Sequence, residues 1–303
     1  RVLLDDLEKR LIAQLRFRDD RPQQREKLLF VRVRVEFNHV HAPRQMCYND
    51  YTMDERTLHR LNQINRVFYA RVGAHYDASR RYVREGWRAA LDLIRERAAA
   101  RGEFRALDVG CGNGWFGKFL IDQLPIPVLY HGIDADAYLL GQAERNLAAA
   151  RAVFALIDLI AEPDPFRQLA PVYHLVVFNN VLHHIPSFEL RRRLLLAAAE
   201  KLAEGGLLLF TAWQFLKQAK WQARVIPWTA CPDVDPSQLE PGDYLLDWRR
   251  GARAVRYCHF MDDAELDALV QALNTGGLVI VTAFLADGKT DDLNRYVIAQ
   301  KAG

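Results

Sequence analysis

In the middle of the chain, continuous apolar runs alternate with segments whose apolar residues recur at helical spacing. Continuous apolar runs that end in polar tips, at residues 104–109 and 175–184, predict strands buried on both faces of a parallel sheet. The segments after these runs, residues 115–123 and 189–202, carry apolar positions at helical spacing, and we expect Gly205-Gly206 to end the second helix. Alternating strands and helices predict a doubly wound α/β domain.

The patterns divide the chain into five segments. Residues 278–284 and 295–300 alternate between apolar and polar positions, which predicts an antiparallel hairpin. We expect an N-terminal extension that is poorly ordered or not native, with Met53 as the start, because its middle is charge-dense and lacks a period. The predicted segments are the extension (1–52), a helical pre-domain or lid (53–103), the α/β core (104–213), an insert (214–260), and a C-terminal helix and hairpin that complete the sheet (261–303).

A glycine loop follows the strand predicted at residues 104–109. Gly110, Gly112 and Gly114 can adopt positive φ and let a ligand approach bare backbone. The helix that follows points its unpaired N–H groups into the same gap. Asp134 ends the next apolar segment, where an acid can accept hydrogen bonds from both hydroxyls of a ribose. These features predict a nucleoside-binding site.

Two nucleoside cofactors compete for this loop. Gly112, Gly114 and Gly117 formally satisfy the dinucleotide fingerprint, but there the first glycine follows the strand directly, so that the pyrophosphate lies on the helix N-terminus. Here Gly110 has that position, and Asp108 suits the methionine ammonium better than a pyrophosphate. The segment resembles the motif of S-adenosylmethionine (SAM) methyltransferases. The resemblance implies SAM as cofactor and a Rossmann-like seven-stranded sheet with helices on both faces and a terminal antiparallel hairpin.

Two later segments extend this resemblance. Family members hold the adenine amino group with an acid and a neighbouring backbone N–H, and Asp158 and Leu159 fill that place. From its position alone, Asp158 is equally compatible with an ordinary turn aspartate. The matching family segment of the central strand ends beside the methyl group, with Asn179 at its tip and a histidine pair downstream. We assign His183 to the active site, although the sequence leaves open whether it or His184 faces the methyl group.

A narrower resemblance comes from the segment before the core. The stretch through Tyr69, His75 and Tyr76 resembles the opening of the tRNA wobble-uridine carboxymethyl methyltransferases, whose domain is also found fused to an AlkB-type dioxygenase. In many methyltransferases this segment closes over the cofactor, which makes these three side chains candidates for a lid. Amphipathic packing onto the sheet edge is the alternative.

The insert supplies the second part of this resemblance. Residues 242–248 and 256–260 look like the substrate-side signature of the same family, a Trp-containing strand followed by Arg-Tyr-Tyr-His and an acid-Leu helix start. Cys258 replaces the second tyrosine, and Asp247-Trp248 replaces a Pro-Trp. Because of these two departures, the substrate stays open.

The resemblance implies methyl esterification of a carboxymethyl wobble uridine in tRNA. A carboxylate is already an anionic nucleophile, so alignment against the sulfonium is the main task. Arg256 has the planar fork that suits a carboxylate, and His259 would orient or hydrogen-bond that anion. On sequence alone, Arg256 is equally compatible with a surface salt bridge to Asp262 or Asp263.

The insert also interleaves cations with tryptophans, at Trp213, Lys217, Lys220, Trp221, Arg224 and Trp228. Such residues could hold a single-stranded anticodon loop by stacking and phosphate contact. We favour instead an amphipathic helix with buried tryptophans and solvated cations. A small-molecule methyltransferase of secondary-metabolite or quinone type, with an apolar acceptor pocket, is the alternative function.

The composition of the chain excludes only a few classes of function and partner. The net charge of +3 does not demand a nucleic-acid partner. The four cysteines form no C-x-x-C pair, so we expect neither a metal site nor disulfides. No apolar stretch reaches the ~18 residues of a membrane span, and no signal peptide is visible. We therefore expect a cytoplasmic protein with no membrane or DNA partner, while the family resemblance implies tRNA and a small zinc-binding activator protein.

Overall fold

The computed structural model describes residues 53–99, 101–169 and 172–303. The expectations for the N-terminal extension, residues 1–52, lie outside the described residues. Among the helices of the described chain, none combines the length and the apolar character needed to cross a membrane.

Helices and strands alternate through the core, as the hydrophobic pattern predicts. The helices are α1 (Glu55–Ala78), α2 (Glu85–Ala98), α3 (Trp115–Gln123), α4 (Ala137–Asn146), α5 (Phe188–Glu200), the single turn α6 (Ala219–Gln222) and α7 (Asp263–Thr275). The strands are β1 (Phe104–Val109), β2 (Val128–Asp134), β3 (Ala152–Leu156), β4 (Tyr173–Phe178), β5 (Leu202–Trp213), β6 (Val225–Ile226), β7 (Asp243–Trp248), β8 (Ala254–His259), β9 (Leu278–Ala286) and β10 (Asn294–Lys301).

Seven strands form the main sheet in the order β3-β2-β1-β4-β5-β10-β9. Strands β1 to β5 pair in parallel, and β10 pairs antiparallel to both β5 and β9. The predicted seven-stranded sheet with a terminal antiparallel hairpin is therefore confirmed. The strand order reverses between β1 and β4, and in such sheets ligands bind in the crevice at the carboxyl ends beside that point.

The sheet is buried on both faces because its central strands carry apolar side chains on both sides. On β4, Val176 and Phe178 pack into a core with the apolar residues of α5 and α7. Leu175 and Val177 point the other way and pack with α2, α3 and α4. This arrangement confirms the doubly wound α/β class.

One helix boundary differs from the sequence prediction. The pair Gly205-Gly206 was expected to end the helix, but α5 ends at Glu200 and the glycines lie inside β5. Leu202 already pairs with Tyr173 of β4, and the register then shifts before the next pair. Gly205, with φ of +69°, allows the irregular backbone of this shift. The glycines therefore mark a break in strand pairing.

A second, smaller sheet contains β6, β7 and β8, all antiparallel, and is built from the insert. It packs against α1 through an apolar cluster that includes Leu61, Leu245 and Tyr257. Asn65 of α1 accepts a hydrogen bond from the backbone N–H of Tyr257 at 2.9 Å. Helix α1 therefore contacts β8 directly, although the two are far apart in sequence.

A buried network of charges ties the insert to the main sheet. Arg191 of α5 donates from Nε to Glu265 at 2.7 Å and from Nη2 to Glu240 at 2.8 Å. The ring nitrogens of His259 lie 2.7 Å from Asp243 and 2.7 Å from Glu265. The Nη2 of Arg191 also lies 3.0 Å from Nε2 of His259, but the raised pKa of the ring makes it an imidazolium that donates to both carboxylates at neutral pH. The network therefore holds two cations among three carboxylates, and it connects α5, α7, β7 and β8.

This network predicts a pH-dependent stability. Burial and the charge of Arg191 lower the pKa of His259, but Glu265 and Asp243 outweigh them and raise it to about 9. An unfolded histidine has a pKa of about 6.5, so the stabilisation is complete below that pH and is lost as the pH rises through 9. We expect the free energy of unfolding, measured with urea, to fall by up to about 3 kcal/mol over this interval. The variant His259→Gln should lack this fall, and equal slopes in both proteins would contradict the assignment.

Candidate active site

The glycine loop after β1 is held by positive φ angles at Gly110, Gly112 and Gly114, which are +71°, +54° and +72°. A Cβ added at Gly110 would lie 2.3 Å from Val181, and one at Gly114 would lie 3.0 Å from the Cβ of Ala143. A Cβ at Gly112 would meet no atom within 4 Å. Gly110 and Gly112 line a cavity, whereas Gly114 caps α3 behind the loop.

Asp134 ends β2 at the edge of the same cavity. One carboxylate oxygen accepts the N–H of Gly112 at 2.8 Å, and the other accepts the N–H of Asp136 at 2.9 Å. Burial raises the pKa of Asp134 to about 6, although these backbone N–H groups oppose the shift. A carboxylate offers about four acceptor positions, so two remain for the hydroxyls of a ribose.

Asp108 lies behind the loop and not on the cavity wall. Its Oδ2 accepts the hydroxyl of Tyr130 at 2.6 Å, and its Oδ1 has no partner within the described part of the chain. Burial raises the pKa of Asp108 to about 7. Because Asp108 and Gly114 do not line the cavity, direct contact between them and the cofactor stays a prediction.

The cavity beside the loop has a volume of about 530 Å³. It is lined by six of the residues predicted to bind the cofactor, namely Gly110, Gly112, Asp134, Asp158, Leu159 and Asn179. These residues come from the carboxyl ends of four strands, and the parallel sheet brings those ends together at one edge. We refer to this space as the cofactor cavity.

Helix α1 closes one side of the cofactor cavity with side chains that the sequence analysis missed. Asn62 donates to Asp158 at 2.9 Å, and Arg66 donates to the same carboxylate at 2.8 Å. Burial alone would raise the pKa of Asp158, but these hydrogen bonds and those from backbone N–H groups lower it. Tyr69 lines the same cavity. Its placement agrees with the predicted lid.

A second cavity of about 500 Å³ adjoins the first, and we call it the acceptor cavity. Tyr76 and Asn180 line both cavities. Asn180 has a positive φ of 59°, and its backbone N–H donates to the hydroxyl of Thr211 at 2.7 Å. The shared residues mark the place where a donor in one cavity can meet an acceptor in the other.

Arg256 lines the acceptor cavity and is only 3% exposed. Its guanidinium carbon lies 4.8 Å from the ring centroid of Trp213, 5.5 Å from that of Phe68 and 5.7 Å from that of Trp248. Its Nε is buried without a hydrogen-bond partner, and no ion pair joins it to any described carboxylate. Arg256 is therefore a buried cation held by aromatic rings.

The surface salt bridge considered for Arg256 is absent in the described part of the structure. Asp262 caps α7 by accepting the N–H of Glu265, and Asp263 pairs with Arg295 at 2.8 Å. The hydrogen bond of Asp262 and the ion pair of Asp263 therefore do not involve Arg256.

The two adjacent histidines face different cavities. His183 lines the acceptor cavity, and its Nδ1 has no partner among the described residues. Burial, His184 and Arg256 hold the pKa of His183 well below its usual range. His184 lines the cofactor cavity, where its Nε2 and the hydroxyl of Tyr69 form a hydrogen bond of 2.9 Å. Burial and Arg256 lower the pKa of His184 to about 3, so both rings are neutral.

Two predicted site residues lie elsewhere. His259 was expected to contact the acceptor, but its ring is fully buried, lines neither cavity and is held by the charged network of the small sheet. The reason is strand alternation, because Arg256 and Cys258 face one side of β8 and Tyr257 and His259 face the other. His75 was expected in the lid, but it is exposed and packs beside Gly251 in the turn between β7 and β8.

The tryptophans of the insert match neither the predicted amphipathic helix nor the predicted RNA-binding surface completely. The expected amphipathic helix is reduced to the single turn α6. Trp213 is buried and packs edge-on against Trp221 at 4.9 Å. Trp221 and Lys220 line the acceptor cavity, whereas Lys217, Arg224 and Trp228 do not.

The acceptor cavity also contains charged residues that the sequence analysis did not assign. Its charged lining consists of the cations Arg80, Arg84, Lys220, Arg250 and Arg256 and the acids Glu85 and Asp287. The dense basic stretch after α1, Arg80-Arg81-Tyr82-Val83-Arg84, was a visible signal for two of these cations. The excess of positive charge favours an anionic ligand.

Two groups of possible metal ligands occur among the described residues. His183, His184 and Cys258 have ligand atoms within 4.8 Å of one another, as do Glu240, Asp243 and His259. The charge of Arg256 acts on the first group, and Arg191 already neutralises the second. A further cation is electrostatically unfavourable in both places.

Comparisons with known proteins agree with this geometry. Residues 107–208 match a family described as a methyltransferase domain. The SAM-bound CalS10 from Micromonospora echinaspora, described as an amino pentose methyltransferase involved in calicheamicin biosynthesis, is 16% identical with a TM-score of 0.51, over 76% of this chain and 95% of that one. A SAM-dependent methyltransferase from Clostridium acetobutylicum is 13% identical with a TM-score of 0.52, over 78% of this chain and 99% of that one.

A third similar structure is the CcbJ methyltransferase from Streptomyces caelestis, which is 18% identical with a TM-score of 0.50, over 73% of this chain and 91% of that one. No curated protein matches the chain. At these identities the likeness between structures concerns the fold, and the family match covers the core. The chain therefore contains a class I methyltransferase domain and is a SAM-dependent methyltransferase.

Proposed function

We propose that this enzyme transfers the methyl group of SAM to the carboxylate of a carboxymethyl wobble uridine in tRNA. The observation that carries the proposal is Arg256, a buried arginine without a carboxylate partner in the cavity that adjoins the cofactor cavity. Leaving a buried charge unpaired costs several kcal/mol. A site that keeps such a charge is suited to an anion that arrives with the substrate, and a planar guanidinium matches the two oxygens of a carboxylate.

The reaction needs no proton transfer from the acceptor. A carboxylate oxygen attacks the methyl carbon, the bond from carbon to sulfur breaks, and its electron pair stays on sulfur to give S-adenosylhomocysteine. Both active-site histidines are neutral with lowered pKa values, which makes them weak bases at neutral pH. The contribution of the protein is therefore to align the two reactants.

The acceptor cavity supports a nucleotide better than an apolar small molecule. Its cationic lining attracts phosphates, and Trp221 and the half-exposed Tyr82 add aromatic rings to the wall. A quinone-type acceptor would be matched by an apolar pocket. The lining therefore favours RNA as the partner.

A small zinc-binding activator protein is a second proposed partner, which would contact a sheet edge. The edge strand β3 exposes Val153, which is 62% exposed. Exposed apolar side chains on an unpaired edge are suited to strand pairing with another protein.

The direct test of the proposed function is methyl transfer from isotope-labelled SAM to total tRNA, followed by nucleoside mass spectrometry. We expect the label on a uridine derivative, and mild alkali should release it because an ester is base-labile. Label that resists alkali would mean transfer to nitrogen, carbon or a hydroxyl. Label that enters small molecules but no tRNA would support the small-molecule alternative.

The variant Arg256→Ala tests how the acceptor is held. We expect its kcat/KM for the tRNA acceptor to fall about 30-fold or more, since truncating one partner of a buried charge pair costs about 2–5 kcal/mol. Its affinity for SAM should stay nearly unchanged. Arg256→Lys should recover only part of the activity, because a point charge lacks the bidentate geometry. Arg253→Ala is the matched control, an exposed arginine that precedes the same strand.

A pH profile gives an independent check on this mechanism. Since the nucleophile is already deprotonated, the rate at saturating SAM should stay level between pH 6 and 8. A rate that rises steeply there and loses the rise in His183→Ala would mean an acceptor that needs a base, and would contradict the carboxylate mechanism.

The variant Asp134→Asn tests the cofactor site. The amide oxygen can still accept the N–H of Gly112, but the negative charge that would bind the ribose hydroxyls is lost. Hydrogen bonds to charged groups contribute about 1.5–3 kcal/mol, so we expect SAM binding, measured by calorimetry, to weaken about 10- to 100-fold. Asp122→Asn, an exposed acid on α3, is the control. Unchanged affinity in Asp134→Asn would remove Asp134 from the ribose site.

A further inference from the structure

Arg80 is a second cation in the acceptor cavity without a carboxylate partner. Its guanidinium lies 4.7 Å from the ring centroid of Tyr76, and its polar contacts include the hydroxyl of Ser79 at 3.2 Å and a side-chain hydrogen bond with Tyr76. Its Nε is buried without a partner. The side chain is therefore anchored by stacking, and its charge is not neutralised by an acid.

Arg84 is a third cation with similar surroundings. Its side chain is 12% exposed, and its only ion pair among the described residues is a long one of 3.9 Å to Oδ2 of Asp287. That oxygen already accepts Asn294 and the hydroxyl of Tyr296, each at 2.7 Å. Asp287 therefore holds Arg84 near the cavity but neutralises it only in part.

The three arginine charges act on the same part of the cavity. Burial raises the pKa of Tyr76, but the charges of Arg80, Arg84 and Arg256 outweigh burial and lower it. The same three charges lower the pKa of His183, after burial and His184. Tyr76 and His183 both line the acceptor cavity. A single carboxylate can neutralise only one of these three charges.

We propose that Arg80 and Arg84 form a second anion subsite in the acceptor cavity, which binds a phosphate group of the acceptor while Arg256 binds the carboxylate. The two arginines come from the short loop between α1 and α2, and both line the cavity. Planar guanidinium groups bind phosphate oxygens in a bidentate manner. A phosphate monoester can neutralise both of the charges that the carboxylate leaves, whereas a phosphodiester neutralises one of them and Asp287 offsets Arg84 in part.

This subsite deepens the proposed function and rests on it, because it assumes an acceptor that carries both groups. The same phosphate chemistry is available in two sources, a phosphodiester within RNA and the phosphate of a free nucleotide. Tyr82 is 49% exposed at the cavity, and Arg84 lies 5.5 Å from its ring centroid. The subsite therefore has a neighbouring aromatic surface that a nucleotide can use.

The test compares three acceptors with the full chain: 5-carboxymethyluridine, its monophosphate, and an anticodon stem-loop RNA that contains it. We expect the wild type to show a kcat/KM at least 10-fold higher for the monophosphate or the RNA than for the nucleoside. In Arg80→Gln and Arg84→Gln this ratio should fall towards one. Arg88→Gln, an exposed arginine one turn further along α2, should keep the ratio. A gain for RNA alone would identify a phosphodiester as the source.

A binding measurement separates failure of this inference from failure of the proposed function. Calorimetry with uridine monophosphate and with the dinucleotide UpU, each in the presence of S-adenosylhomocysteine, should show binding of at least one of them that is lost in both variants and retained in Arg88→Gln. If no acceptor forms a methyl ester, the proposed function fails, and this measurement still decides the subsite. If the nucleoside, the monophosphate and the RNA all react equally well, or if the variants keep the wild-type ratio, the subsite is overturned while the ester chemistry stands.

Discussion

The orientation of β8 is the constraint on which the acceptor cavity depends. His259 lies between Asp243 and Glu265 in a fully buried charged network, and this fixes one face of the strand towards α5 and α7. Side chains alternate along a strand, so fixing His259 on one face places Arg256 and Cys258 on the other. Arg256, the unpaired cation of the acceptor cavity, is therefore positioned by His259, a paired cation that lies outside this cavity.

Helix α1 contacts both the cofactor cavity and the acceptor cavity. Asn62 and Arg66 bind Asp158 at the predicted adenine end, and Asn65 binds the backbone of β8 beside Arg256. Tyr76, further along the same helix, lies where the two cavities meet. Because one helix touches both sites, a shift that follows cofactor binding would also move the wall of the acceptor cavity.

The sequence predicted those parts of the site that are encoded locally. Gly110, Gly112 and Asp134 follow directly from strands that the hydrophobic pattern reveals, and a parallel sheet brings such strand ends together. His259 was misassigned because its partners Asp243 and Glu265 come from other elements, and only the fold shows that they occupy both ring nitrogens. The contact of Arg84 with Asp287 spans some two hundred residues, so no local pattern could indicate it.

The arginines of the acceptor cavity determine its chemistry in two ways. Their charges favour anions, and the same charges, together with burial, keep His183 and His184 neutral and weakly basic. A cavity that depresses the basicity of its own histidines is poorly suited to acceptors that must lose a proton, such as hydroxyls. It is well suited to an acceptor that arrives deprotonated. The positive charge that would bind a carboxylate therefore also disfavours acceptors that must first lose a proton. Binding and selectivity have the same physical origin.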